Sequence, residues 1–197
     1  GAASLCMIYQ HFGIPADHDK VWNEIAWRRP SGGEYTTSVR ILQHALDHQV
    51  PCTCASLKAL NKSLTLCLEK GVELILLHHK DRKHFYGHYT VLSNIQGGSI
   101  YVNDPFHSPK EGGINRRIRE IEELMRPSRE PGEEIVRKNT VLAFMPPSEY
   151  TDLPFCTCPH CGHSFPAIPE VISLSETILC PGCDKWIESG QALSVDR

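Results

Sequence analysis

The chain has 197 residues, enough for one substantial hydrophobic core and a small appendage. Hydrophobic residues account for 41% of the chain and charged residues for 22%, a composition typical of soluble globular proteins. The net charge of -3 argues against a general nucleic-acid-binding protein, and no apolar run is long enough to span a membrane. We therefore expect neither nucleic acid nor a membrane as a partner.

Helical periodicity dominates the first part of the chain. Apolar residues at helical spacing predict four helices, at residues 2–12, at 17–27, after a cap at Thr37 or Ser38, and at 57–70. Four histidines lie on or beside the first three helices at no useful mutual spacing: His11, His18, His44 and His48. We interpret these histidines as surface or packing residues.

The middle of the chain carries strand patterns. Residues 72–77 predict a buried strand, residues 87–106 a β-hairpin that turns at Gly97 and Gly98, and residues 140–145 a last strand. Residues 114–125 have apolar side chains at the spacing of an amphipathic helix. Helices first and strands later predict an α+β domain.

A histidine-rich basic segment precedes the hairpin. It contains three histidines and three cations, which suggests a metal or phosphate site: His78, His79, Lys80, Arg82, Lys83 and His84. No cysteine nearby completes a metal ligand set. We therefore interpret the segment as a solvated loop leading into the hairpin.

The hairpin brings two polar residues to the same end of the sheet, since His88 begins its first strand and Asp104 ends its second. A plain two-residue turn would leave Asp104 on the other face, whereas a one-residue bulge, which the glycines allow, puts both side chains on one face. A histidine base and the carboxylate that orients it are usually held side by side like this in sites of nucleophilic catalysis. An ordinary half-buried hairpin with a surface histidine is the alternative.

The nine cysteines are unevenly distributed, and five lie in the last quarter of the chain. This clustering favours metal binding over disulfides and a reducing, cytoplasmic compartment. Two Cys-x-x-Cys knuckles with 18 residues between them supply four thiolates, which close a tetrahedral Zn²⁺ shell: Cys158, Cys161, Cys180 and Cys183. Cys156 is then a spare ligand or a bystander, and His160 and His163 lie outside the ligand set.

Residues 156–190 resemble a zinc ribbon, and residues 148–155 serve as the linker before it. A ribbon of this size folds only with its metal, so the resemblance implies structural zinc. From Cys156 to the end the chain has two basic residues, Lys185 and Arg197, which disfavours nucleic acid as the ribbon's partner. We expect docking to a protein or to the neighbouring domain.

We assign residues 1–147 to one domain, in which three motifs follow one another: GAASLCM at residues 1–7, GHYTVL at 87–92 and VNDP at 102–105. These motifs and the order of the segments resemble papain-like cysteine peptidases of the bacteriocin-processing, or double-glycine peptidase, family, and the resemblance covers roughly residues 1–145. It implies a papain-like fold in which N-terminal helices pack on an antiparallel sheet.

The same resemblance implies that His88 is the general base and that Asp104 fixes its imidazole. The nucleophilic cysteine belongs immediately before Gly1 and is absent from this sequence, as is the family's upstream glutamine that binds the developing oxyanion. Cys6 is a poor substitute, because it lies about 240° around the helix from the nucleophile position. The implied reaction cleaves a peptide or isopeptide bond of a peptide or protein substrate through a thioester.

Two other functions are compatible with the sequence. A relative without a nucleophile would bind a peptide and leave it intact. An adaptor would instead use the zinc ribbon to dock a protein partner.

Overall fold

A computed structural model describes residues 1–28, 30, 32–80, 87–107, 115–118, 121–125 and 137–192. Some residues used in the sequence predictions lie outside the described residues: Arg82, Lys83 and His84 of the basic segment, Ile114, Arg119 and Glu120 of the predicted amphipathic helix, and Arg197. The helices are α1 (Ala2–His11), α2 (His18–Ile25), α3 (Ser38–Asp47), α4 (Leu60–Glu69), α5 (Ile121–Leu124), α6 (Pro169–Leu174) and α7 (Ser189–Ala192), with a 3₁₀ helix at Pro147–Asp152. The strands are β1 (Trp27–Arg28), β2 (Glu34–Tyr35), β3 (Cys52–Leu57), β4 (Glu73–His79), β5 (Gly87–Gln96), β6 (Ser99–Asn103), β7 (Arg116–Ile118), β8 (Thr140–Phe144), β9 (Phe155–Thr157), β10 (Ser164–Pro166), β11 (Ser175–Leu179) and β12 (Trp186–Glu188).

The first three helices begin and end close to where the sequence predicts. The Asp17 carboxylate caps α2 by accepting a hydrogen bond from the backbone N–H of Lys20, and Thr37 caps α3 through the N–H of Arg40. Helix α1 stops before Gly13, whose φ of 73° favours glycine. None of the helices in the described part of the chain is long and apolar enough to cross a membrane.

Eight strands form one antiparallel sheet in the order β12-β11-β3-β8-β4-β5-β6-β7. Successive residues of a strand point to opposite faces, and the apolar side chains divide accordingly between two clusters. One cluster joins Ile75 and Leu77 to α1, α2 and α3, and the other joins Leu74 and Leu76 to α4 and α6. The prediction of an α+β fold with helices packed on an antiparallel sheet is confirmed, and helices cover both faces.

Three segments differ from the prediction. Residues 52–57, for which the sequence predicted no strand, form the fully buried strand β3, and α4 begins only at Leu60. The segment predicted as an amphipathic helix contains the strand β7 and the four-residue helix α5. His78 and His79 do not lie in a solvated loop, because they end β4 and are only 1% and 5% exposed.

The C-terminal segment is continuous with the large sheet. Strand β11 pairs with β3 and β12 pairs with β11, while β9 and β10 form a separate hairpin. The backbone N–H of Ile168 donates to Thr53 Oγ1 of β3 at 2.9 Å, and Gln43 of α3 donates to the carbonyl of Pro181 at 2.6 Å. The division into residues 1–147, 148–155 and 156–190 stays a prediction, and its two larger parts share one sheet and one apolar cluster.

Candidate functional site

The hairpin that carries His88 and Asp104 contains a one-residue bulge. Its turn is a plain two-residue turn at the two glycines. The register between β5 and β6 shifts between Leu92 and Asn94, so the extra residue is Ser93, inside β5 rather than at the turn. The shift brings the two side chains to the same face of the sheet.

His88 and Asp104 are in direct contact. Nε2 of His88 lies 2.8 Å from Oδ1 of Asp104, with the imidazole 13% exposed and the carboxylate fully buried. Because an ionised carboxylate only accepts hydrogen bonds, Nε2 carries the proton and Nδ1 of the neutral ring holds the lone pair. Nδ1 is therefore the atom that can accept a proton from a thiol, which is what a general base requires.

Asp104 also binds groups other than His88. Its carboxylate accepts hydrogen bonds from Nδ1 of His107 at 3.0 Å, from Nη1 of Arg116 at 2.6 Å and from the N–H of Phe106 at 3.0 Å. Burial alone would raise the pKa of Asp104, but the hydrogen bond and charge of His88 and the hydrogen bonds from Phe106 and Arg116 hold it well below its usual range. Sequence reasoning missed His107 and Arg116.

His78 is a buried neighbour of His88. It lies opposite His88 in the pairing of β4 with β5, and the two rings meet edge to face with centroids 5.4 Å apart. Its Nδ1–H donates to the carbonyl of His79 at 2.7 Å, and its Nε2 accepts from the Thr90 hydroxyl at 3.1 Å. Burial lowers the pKa of His78 to about 4, so the ring is neutral. The sequence could have indicated that His78 belongs to β4, because the apolar run of this strand leads directly into it.

The first turn of α1 is tied to the backbone next to His88. Ser4 Oγ donates to the carbonyl of Tyr89 at 2.9 Å, and both residues are buried. Gly1 is the N-cap of the helix, and a Cβ atom there would collide with the methyl group of Thr36. The N-terminal end of the helix is thus closely packed, and its partial positive charge favours an anion such as a thiolate.

Cys6 has the properties of a packing residue. It is 6% exposed and lies in the apolar cluster that joins α1 to the sheet. Burial raises the pKa of its thiol, and the carboxylate of Asp17 adds to that effect. A buried thiol of raised pKa supplies little thiolate at neutral pH.

Four cysteines of the C-terminal segment converge on one point: Cys158, Cys161, Cys180 and Cys183. Their Sγ atoms all lie within 4.8 Å of one another. The Sγ atoms of Cys158 and Cys183 are 3.8 Å apart, as are those of Cys161 and Cys180. Thiolates bound at about 2.3 Å to a tetrahedral Zn²⁺ ion are separated by about 3.8 Å, so the cluster fits such an ion.

The surroundings of this cluster are closely packed. The N–H of Gly182 donates to Cys180 Sγ at 3.3 Å. A Cβ atom at Gly182 would lie 2.7 Å from the Cβ and Cγ atoms of His163, so the position has room only for glycine. Cys156 is fully buried outside the cluster, where burial raises the pKa of its thiol. His160 and His163 are not members of the cluster either.

Two of the four N-terminal histidines form a pair. His44 is buried and stacks on His48 with ring centroids 4.2 Å apart, and Glu24 Oε2 of α2 lies 2.8 Å from His44 Nε2. The expectation that these histidines have no useful spacing is wrong, because residues four apart share a helix face. His11 and His18 are exposed, as predicted.

Known proteins resemble this chain in sequence and in fold. The model of the peptidase C39 family matches residues 1–124. A crystal structure from Bacillus anthracis, described as that of a C39-like peptidase, shares its fold with a TM-score of 0.51 at 14% sequence identity, over 73% of this chain and 86% of that chain. No curated protein matches the chain. Because the family model covers more than half of its length, the chain belongs to the peptidase C39 family.

Proposed function

We propose that this chain is a cysteine peptidase that cleaves a peptide or isopeptide bond by acyl transfer through a thioester. The observation that carries the proposal is the contact between His88 and Asp104, with 2.8 Å between Nε2 and Oδ1. Two further observations support it: the first turn of α1 is anchored to Tyr89, and the chain belongs to the peptidase C39 family.

The proposed nucleophile is a cysteine immediately before Gly1, at the N-terminal end of α1. Its thiol gives the proton to Nδ1 of His88, while Asp104 accepts a hydrogen bond from the Nε2–H group of the resulting imidazolium. The thiolate attacks the carbonyl carbon, and the C–N bond breaks as the imidazolium returns the proton to the leaving amine. Water then hydrolyses the thioester, which yields the carboxylic acid and restores the thiol.

We further propose that the four-cysteine cluster holds a structural Zn²⁺ ion. The support is the 3.8 Å separation of the paired Sγ atoms, together with the resemblance of residues 156–190 to a zinc ribbon. Four thiolates leave no open coordination position for an activated water. Cys158 and Cys161 follow β9, and Cys180 and Cys183 follow β11, so the ion would join two hairpin turns.

The proposed substrate is a peptide or protein, and the proposed compartment is the reducing cytoplasm. None of the nine cysteines forms a disulfide in the described structure, which supports a reducing environment. Because β11 pairs with β3, the neighbouring domain is one docking partner of the C-terminal segment. A separate protein partner for this segment stays a prediction.

Thiol-probe labelling near pH 6, mapped by mass spectrometry, tests the peptidase proposal on the natural protein with the residue that precedes Gly1. We expect a cysteine at that position to react fast, and His88→Ala to abolish the fast reaction. His11→Ala is the matched control, because it removes an exposed histidine of α1 and should leave the reaction unchanged.

Two results would overturn the proposal. One is a residue other than cysteine before Gly1, and the other is a cysteine whose labelling rate is unchanged in His88→Ala. Either result would leave peptide binding without cleavage as the function of the first domain.

A further inference from the structure

A second group of metal-ligating side chains lies away from the His88 site and from the four cysteines. Glu24 of α2, His44 of α3 and His48, which follows α3, each offer one possible ligand atom, and these three atoms all lie within 4.8 Å of one another. They line a cavity of about 230 Å³ between the two helices.

His44 is held in place by contacts on both of its ring nitrogens. Nδ1 lies 2.8 Å from the hydroxyl oxygen of Tyr9, and the residue is only 7% exposed. The buried Nε2 makes no aligned hydrogen bond with any residue that the structure describes, although Glu24 Oε2 lies 2.8 Å from it. A cation bound by both Nε2 and the carboxylate would satisfy both groups.

His48 is the third possible ligand of the group and lines the same cavity. Its Nδ1–H donates to the carbonyl of His44 at 2.8 Å, which leaves the lone pair on Nε2. The remaining cavity wall includes Asp47 and Arg40, so the fixed charges are two carboxylates against one guanidinium. This balance favours a cation over an anion.

We propose that Glu24, His44 and His48 bind one divalent transition-metal ion of the Zn²⁺ class. Imidazole nitrogen and carboxylate oxygen are ligands that suit Zn²⁺. With the metal on Nε2 of His44, Nδ1 carries the proton and donates to the Tyr9 oxygen, an outer hydrogen bond that ligating histidines usually make.

Metal binding requires a small rearrangement of the exposed ligands. Two atoms bound to one Zn²⁺ ion at about 2.1 Å can be no more than about 4.2 Å apart, and the two rings now stack with planes 12° apart. His48 is exposed and lies beyond the last residue of α3, so its ring can turn toward the ion. The bound ion would link α2 to α3.

The Tyr9, His44 and Glu24 arrangement does not form a second catalytic triad. Burial raises the pKa of Tyr9 well above its usual range, and the residue is 2% exposed. Its hydroxyl is therefore neither ionised nor accessible to a substrate. The metal-site proposal does not depend on the proposed peptidase function.

Calorimetric titration of Zn²⁺ into the full chain at pH 7.5 tests the site. We expect a binding event that His48→Gln and Glu24→Gln each weaken by about tenfold or more. One control should leave that event unchanged: His18→Gln, which removes another exposed histidine.

The proposal is overturned if no event meets this pattern. Retained affinity in both His48→Gln and Glu24→Gln would show that the ion binds elsewhere, as would an equal loss in His18→Gln. Because Glu24 and His48 are exposed, their replacement should leave the fold intact, and circular dichroism of each variant verifies this.

Discussion

His78 and His88 face each other across β4 and β5, with ring planes at 87°. Both nitrogens of His78 are already bound, one to the carbonyl of His79 and the other to the hydroxyl of Thr90. The ring therefore shares no proton with His88 and is an uncharged neighbour of it. A charged ring at this position would repel the imidazolium that the proposed mechanism forms on His88.

We predict that His78 makes the free energy of unfolding fall as the solution is acidified. Its pKa falls from 6.5 to about 4 on folding, so the unfolded chain binds the proton first. The contribution of His78 to the free energy of unfolding is therefore fully present above pH 6.5, and it is lost progressively as the pH falls to about 4. The full loss is about 3 kcal/mol.

Urea unfolding of the wild type and of His78→Gln at about pH 7 and about pH 4.5 measures this effect. The amide of Gln can donate to one partner and accept from the other, but it does not titrate. We expect the wild type to lose about 2 kcal/mol more than the variant over this interval. The other titrating groups are common to both proteins and cancel, so equal losses would contradict the prediction.

A second prediction concerns the carboxylate that orients His88. Asp104→Ala removes the acceptor of the Nε2–H bond, so the ring is no longer held in the tautomer with a lone pair on Nδ1. We expect kcat/KM, or the labelling rate of the thiol before Gly1, to fall by about a hundredfold or more.

His107→Ala is the matched control for Asp104→Ala. It removes another hydrogen bond to the carboxylate but leaves the bond to His88 and the one from Arg116 in place. We expect its rate to stay close to that of the wild type. Equal losses in the two variants would show that Asp104 acts on the whole cluster rather than through His88.

The separation of two interacting residues along the chain explains which site residues could be predicted from the sequence. His88 and Asp104 lie in one hairpin, and its strand periodicity and turn glycines are local signals. Arg116 reaches Asp104 through the pairing of β7 with β6, which the sequence does not reveal. The apolar spacing around Arg116 also fits a helix, so the wrong element was predicted.

Two other features were not predicted correctly from the sequence. Strand β3 is buried along its whole length, so it lacks the alternation of polar and apolar residues that marks a half-buried strand. The bulge was expected at the glycines, but it lies at the exposed Ser93, whose hydroxyl donates to Asn115 Oδ1 at 3.1 Å. That contact joins residues 22 positions apart, so the sequence does not reveal it. The spacing of the four cysteines is by contrast a local signal, and these residues do converge in the fold.

The third prediction concerns the metal content of the four-cysteine cluster. We expect protein purified without chelator to carry zinc that Cys180→Ser fails to retain, because three thiolates no longer close the shell. Cys156→Ser is the control, since Cys156 is buried nearby but lies outside the cluster. Elemental analysis of both variants after dialysis makes the measurement, and equal zinc content in the two would contradict the assignment of ligands.

The last prediction is that Gly182→Ala weakens zinc retention and lowers stability by about 1–3 kcal/mol, because the added Cβ would lie 2.7 Å from the Cβ and Cγ of His163. Gly190→Ala is the matched control, since a Cβ there has no neighbour within 4 Å. His163→Gly removes both clashing atoms, so the double variant should lose less stability than the two single losses added together. Chelator competition and thermal unfolding measure these effects, and additive losses would mean that the clash with His163 is not the cause.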